Sequence, residues 1–317
     1  AAADRVPHFA ELTWTSLQSD GLAMMEQDLL WWTSHGRQSW GLEAGQSQFE
    51  AGGDTPLTTA PESEFTLNAG WRLRNKGLWH AAAGLRRGNG ATAVPLKLGY
   101  RSVAGRRWQY HLDWQQDATP DAGLLLRMLG AVDSLSTGID YRIDPRLSTS
   151  LRGGLHRYQS LGNGYLASGR NGGLALTYRL ADGVYSCLLT AGAAWEQNSV
   201  ADELPADLQT MFAADTTPAV MVPESYREIG LTLHLGRGAL REDFPQVASP
   251  RWYAELWVGN VEPDTGLSVA ARTGLGAALF GSDELGLTAE YDNRLDRTAG
   301  SEATLQVRLS YRYYFGR

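Results

Sequence analysis

The chain of 317 residues has one cysteine, Cys187, so no internal disulfide can staple it, and a lone buried thiol is the expectation. It also lacks any apolar run of about 18 residues, the length a spanning helix needs. The longest candidate, GLLLRMLGAV at 123–132, is short and broken by Arg127, which excludes a helical membrane protein. Positive charge is scarce. With 28 Lys and Arg against 35 Asp and Glu, the net charge is -7, and a nucleic-acid partner has no electrostatic support.

Signatures of chemistry are missing as well. Six histidines (His8, His35, His80, His111, His156, His234) are scattered, with no HExxH and no Cys/His cluster at zinc spacing. There is no GxSxG elbow, and GNGATAV at 88–94 has no P-loop lysine, so it reads as a turn. No cofactor, no metal and no enzymatic activity are expected. His111 and Asp113 share a face and serines are common, so a barrel hydrolase built on Ser, His and an acid stays open as an alternative.

Hydrophobic residues make up 43% of the chain, which would suit a soluble globule equally well, so composition alone does not decide the class. The aromatic balance is more pointed: 11 Trp and 13 Tyr accompany 36 Gly, against only 7 Phe. Trp and Tyr are interface residues, and membrane barrels collect them in two girdles. A soluble propeller or sandwich fits less well, because its strands are shorter and its blades repeat.

Alternation of apolar and polar residues recurs at a spacing of roughly twenty residues, the period-two signature of strands. Sixteen strands are predicted, over 9–17, 22–33, 38–49, 64–74, 78–87, 94–102, 107–116, 132–143, 147–158, 172–181, 184–196, 225–235, 251–260, 267–280, 284–292 and 303–315. Clear apolar faces are Phe65, Leu67, Ala69, Trp71 and Leu73, then Trp108, Tyr110, Leu112 and Trp114, and at the end Val307, Leu309, Tyr311, Tyr313 and Phe315. The second and third strands are ambiguous in phase. Tight connections (34–37, 75–77, 104–107, 144–146, 181–183, 280–284) alternate with long ones (50–63, 116–131, 159–171, 197–224). This pattern predicts a single all-β domain over 1–317, a 16-stranded antiparallel transmembrane β-barrel in the bacterial outer membrane, with both termini periplasmic. One long connection, 236–250, falls on the short-turn side and is a candidate docking surface for a periplasmic partner.

Residues on the polar faces are the candidate pore lining: Glu64, Arg72, Lys97, Arg101, His111, Asp113, Asp140, Arg152, Arg179, Glu228, Glu255, Trp257, Arg272, Glu290, Arg308 and Arg312. Most of these charges can brace the wall in opposite pairs. Inward aromatics, Tyr158, Tyr253, Trp257 and Tyr314, offer flat rings on which sugars stack. Charge is sorted between the two ends. Asp202, Glu203, Asp207, Asp215 and Glu224 stand in a segment without Lys or Arg, and Glu50, Asp54 and Glu62 join them, whereas the short turns carry Arg37, Arg74, Lys76, Arg106, Arg107, Arg142 and Arg146. An acidic extracellular mouth favours a cationic solute leaving the pore.

The sixteen-strand plan, the segment PDAGLLLRMLGA at 120–131 and the terminal SYRYYFGR resemble the porin domains of bacterial exopolysaccharide exporters, the group of the cellulose, poly-N-acetylglucosamine and Pel systems. The resemblance implies a Pel-like channel that exports a partly deacetylated, cationic amino-sugar polymer for the biofilm matrix. It also implies a periplasmic lipoprotein ring (PelC-like) and a periplasmic modification enzyme (PelA-like) as partners, beside the polysaccharide itself and outer-membrane lipids. Segment 197–224 is the candidate lid and 116–131 a second, the latter alternatively a short helix packed in the mouth. Exporters of this group carry a tetratricopeptide-repeat region before the barrel, and no 34-residue helical repeat can be found here. The opening AAADRVPHF shows no signal peptide and fits a mature terminus or a cut within a longer protein. A general diffusion porin is the other channel consistent with this strand plan. The apolar-aromatic final strand resembles the assembly signal of outer-membrane barrels, departing from it in Gly316 and Arg317.

Overall fold

The computed structural model describes residues 8–315 except 20, 53–56, 59–60, 75–76, 103–106, 121, 182–183, 238–250, 264–265, 281–282 and 295–302. Its strands are β1 (His8–Ser19), β2 (Leu22–His35), β3 (Gln38–Ala51), β4 (Glu64–Arg74), β5 (Gly77–Gly88), β6 (Ala91–Ala93), β7 (Leu96–Ser102), β8 (Trp108–Ala118) and β9 (Gly130–Arg142). They continue with β10 (Leu147–Ser160), β11 (Tyr165–Ala181), β12 (Tyr185–Val200), β13 (Tyr226–Arg237), β14 (Arg251–Glu262), β15 (Leu267–Ala277), β16 (Asp283–Asp292) and β17 (Thr304–Phe315). β6 and β7 are one stave. Pro95 has no N–H to give the ladder and interrupts it, although its carbonyl still accepts from Gly84 N at 2.9 Å. The turn entering this stave is only Asn89-Gly90, both at positive φ, so part of the expected turn at 88–94 is strand instead.

Each stave pairs antiparallel with the next, and β1 pairs with β17 from His8↔Phe315 to Gln18↔Leu305, closing a sixteen-stranded barrel. Closure leaves no edge, so the wall's backbone donors and acceptors meet each other, the condition a spanning sheet must satisfy. No helix among the described residues is long and apolar enough to cross a membrane.

Period two then divides the wall into two faces. Large apolar side chains stand exposed on the outside, as Leu29, Leu42, Leu67, Leu112, Ile139, Leu151, Leu174, Ile229 and Leu275 do. Near the short-turn rim this outer face becomes aromatic: Trp40 meets Trp71, Tyr100 lies between Trp79 and Tyr110, and Trp108 packs on Tyr141 with centroids 4.2 Å apart. Tyr313 and Phe315 of the last strand continue it, while Tyr311 donates to Asp283 Oδ2 at 3.1 Å. Cys187, expected buried, is half-exposed on this outer face, beside Ala181 and Leu235 in register. The connection at 238–250, the suggested docking surface, lies outside the described residues.

An apolar core sits where a barrel wall cannot provide one, at the rim carrying the long connections. Leu22, Met24, Leu124, Leu126, Met128, Leu129, Leu166, Leu208, Phe212, Met221 and Val222 are buried together there.

Candidate functional site: the lumen and its covered mouth

Two connections build the cover. The first leaves β8 through a bulge at Gln115–Ala118, where Asp117 takes φ 51° and accepts from Gln159 Nε2 at 2.6 Å. It becomes α1 (Leu124–Leu129), five of whose six residues are buried, the exception being Arg127. So short a helix has little stability of its own; its apolar sides hold it in the mouth. Arg127 reaches Glu26 of β2 at 2.9 Å, well around the barrel from β8 and β9. Beneath the helix lies a buried ion pair between Arg86 of β5 and Glu64 of β4. The same guanidinium donates to Gly130 O at 2.7 Å and to Arg127 O, so it satisfies two carbonyls at the helix C-terminus.

The second connection, 197–224, contains α2 (Ala206–Gln209) and a 3-10 turn (Pro218–Val220). Leu204, Leu208, Phe212, Met221 and Val222 point into the apolar core. Phe212 forms an isolated antiparallel bridge with Leu57, and Thr58 N donates to Met211 O at 2.8 Å. Leu57 lies between β3 and β4, on the opposite side of the barrel from β12 and β13, so the segment is a strap across the mouth. Its base is held by Asn198, which binds His156 Nε2 at 2.6 Å and donates to Glu196 and to Pro223 O. Asp202, Glu203, Asp207, Asp215 and Glu224 are all exposed on it.

The sixteen candidate lining residues all fall on the inward register. Lys97, Arg101, Arg152, Arg179, Arg272 and Arg308 are exposed there, His111, Asp113, Asp140, Glu228, Glu255 and Glu290 partly so. Several are tied into cross-strand pairs, such as His80–Asp113 at 3.1 Å, Arg272–Glu290 at 3.4 Å and Arg312–Glu11 at 2.6 Å. Arg72 lies over the Trp32 ring at 4.7 Å. Two differ from the expectation of an open lining. Glu64 is buried against Arg86, and Trp257 is covered by Arg294, 4.0 Å above its ring, while it lies flat on Gly230 and Gly259, where no Cβ would fit. Of the other inward aromatics, Tyr158 and Tyr314 are buried and Tyr253 is half-buried beside His234.

Sequence reasoning missed Glu11, Glu26, Asp28, His80, Arg86, Arg251 and Glu284. Arg251 and Glu284 form a further inward ion pair near the short-turn rim. The missed β2 residues trace to the ambiguous phase: Leu22 and Met24 are apolar on the inner face because they lie under the cover, so both faces of that strand look apolar. The inward charges are unequal along the axis. Arg72, Arg101, Arg142, Arg179 and Arg251 lie toward the short-turn rim, offset in part by Glu11, Asp140 and Glu284, and Glu26, Glu64, Glu196 and Glu228 lie toward the covered rim, offset in part by Arg127, Arg86 and Arg294.

The sequence matches the family described as "PelB, C-terminal beta barrel domain" over residues 4–314. The chain belongs to that family. It is accordingly an outer-membrane β-barrel of the polysaccharide-export kind and not an enzyme, as the sequence predicted. No curated protein sequence matches it. Among solved structures, a bacterial polysaccharide outer membrane secretin superposes with a TM-score of 0.72 at 11% identity, over 98% of this chain and 99% of that one. OccAB1 of Acinetobacter baumannii gives 0.49 at 8% identity over 99% of both chains, and OpdO of Pseudomonas aeruginosa 0.47 at 12%, over 97% of this chain and 96% of that one. Of these three, the first bears on the fold.

Proposed function

We propose that the barrel exports a cationic, partly deacetylated amino-sugar polymer of the Pel type for the biofilm matrix, entering at the short-turn rim and leaving past the strap. Short turns face the periplasm and long loops the exterior in outer-membrane barrels, which sets this direction. The observation that carries the reading is the axial charge gradient, basic at the short-turn rim and acidic at the covered rim and on the strap. Such a field lowers the energy of a positive chain as it moves outward. A polar lumen braced by cross-strand ion pairs offers many weak contacts and no deep well, so the polymer can slide. Inward aromatics contribute little stacking surface, since Trp257, Tyr158 and Tyr314 are covered. Family resemblance adds a PelC-like lipoprotein ring beneath the periplasmic rim and a PelA-like enzyme as partners. Replacing Asp202, Glu203, Asp207 and Asp215 by Asn or Ser is expected to lower polymer secretion from cells carrying the intact export system. Unchanged secretion at equal barrel abundance would overturn the cationic assignment.

A further inference from the structure

We propose that the outer surface of β10–β13 holds a phosphorylated glycolipid of the outer leaflet in a fixed place, independently of any polymer in the lumen. Most of the outer wall is covered by large side chains, but β12 turns Ala191 and Ala193 outward, between Leu174 and Leu176 on one side and Ile229 and Leu231 on the other. The result is a shallow depression of about 460 Å³ lined by aliphatic side chains and glycine alone, a lining chemically suited to an acyl chain.

Along the same strand toward the covered rim, the next outward residues are Trp195 and Gln197. Three outward arginines surround them: Arg157 on β10, Arg170 on β11 and Arg227 on β13, all exposed. Arg170 lies 5.9 Å over the Trp195 ring and donates to Gln197 Oε1 at 2.9 Å, and Arg157 lies 5.6 Å over the Tyr165 ring. These contacts orient the guanidinium forks and leave most of their N–H donors free for an anion. Two carboxylates border the patch, Asp133 opposite Arg157 and Glu262 opposite Arg227, and neither forms an ion pair with its arginine among the described residues. Arg170, at the centre, faces no carboxylate in register.

Arginine on a lipid-facing wall is costly at depth and is tolerated at an interface that supplies a counter-anion. Apolar groove, interfacial aromatics and arginines follow one another along one direction. That order reproduces the acyl chain, backbone and phosphate of an amphiphile, and phosphate oxygens suit bidentate arginine.

Native mass spectrometry of the chain in mild detergent tests this, with diphosphoryl lipid A, dephosphorylated lipid A and inorganic phosphate as separate probes. Binding in detergent does not depend on which polymer the barrel exports, so this site and the export reading fail separately. The wild type is expected to retain one diphosphoryl lipid A. Arg157→Gln, Arg170→Gln and Arg227→Gln combined should weaken it at least about tenfold, the loss of charge-assisted contacts. Ala193→Leu, which fills the groove, should weaken it too, with heat-modifiable gel mobility showing that each variant is folded. Equal binding by the triple variant, equal binding of dephosphorylated lipid, or displacement of the lipid by inorganic phosphate would overturn the proposal.

Discussion

The cover depends most on two residues, the ion pair of Arg86 with Glu64. Both side chains are buried, and the arginine also serves two carbonyls at the end of α1. Removing one partner leaves a buried charge unmatched, a loss of about 3–5 kcal/mol, whereas replacing both with apolar residues of similar volume is often neutral. Arg86→Met is therefore expected to lower the unfolding temperature of the detergent-solubilised barrel. The double variant Arg86→Met, Glu64→Leu should recover part of that loss, since the two carbonyls at the end of α1 stay without their donor. A single variant as stable as the wild type, read by heat-modifiable mobility, would remove the pair from this role. The pair was invisible in the sequence: Glu64 alternates like any inward residue of β4, and only the register that brings β5 beside it shows that its partner is Arg86.

At the scale of elements, the strap and α1 share one apolar core, so loosening either should loosen the other. Leu126 of α1 is fully buried in it. Leu126→Ala should cost about 2–5 kcal/mol of local stability and raise the frequency of brief channel openings in a planar bilayer. Unchanged opening frequency would mean that the helix only fills space. The strands were legible because period two survives in a wall with lipid on one side and water on the other. β2 and β3 were the exceptions, since the cover replaces water over part of their inner face. The helix GLLLRML stood out as apolar and short, and the strap as acidic. Their crossing of the mouth was not readable, because it rests on the bridge of Leu57 to Phe212, residues far apart in sequence. The covering of Trp257 by Arg294 is likewise a tertiary contact that alternation alone does not encode.

The whole molecule joins a closed sixteen-stranded wall, an axial charge gradient and a covered mouth. The acidic strap over the mouth predicts that the open channel passes cations in preference to anions, measurable as a reversal potential under a potassium chloride gradient. Neutralising Asp202, Glu203, Asp207 and Asp215 should move that potential toward zero, and an anion-selective wild type would contradict the outward path for a positive polymer. The cover makes the stronger claim, since it assigns closure to one segment reaching across the barrel. The most direct measurement is the single-channel conductance of the barrel with residues 199–221 deleted, set against the intact chain in the same bilayer. The account predicts a clear rise in conductance. An unchanged value in a folded barrel would contradict it, because the strap would then not be what closes the pore.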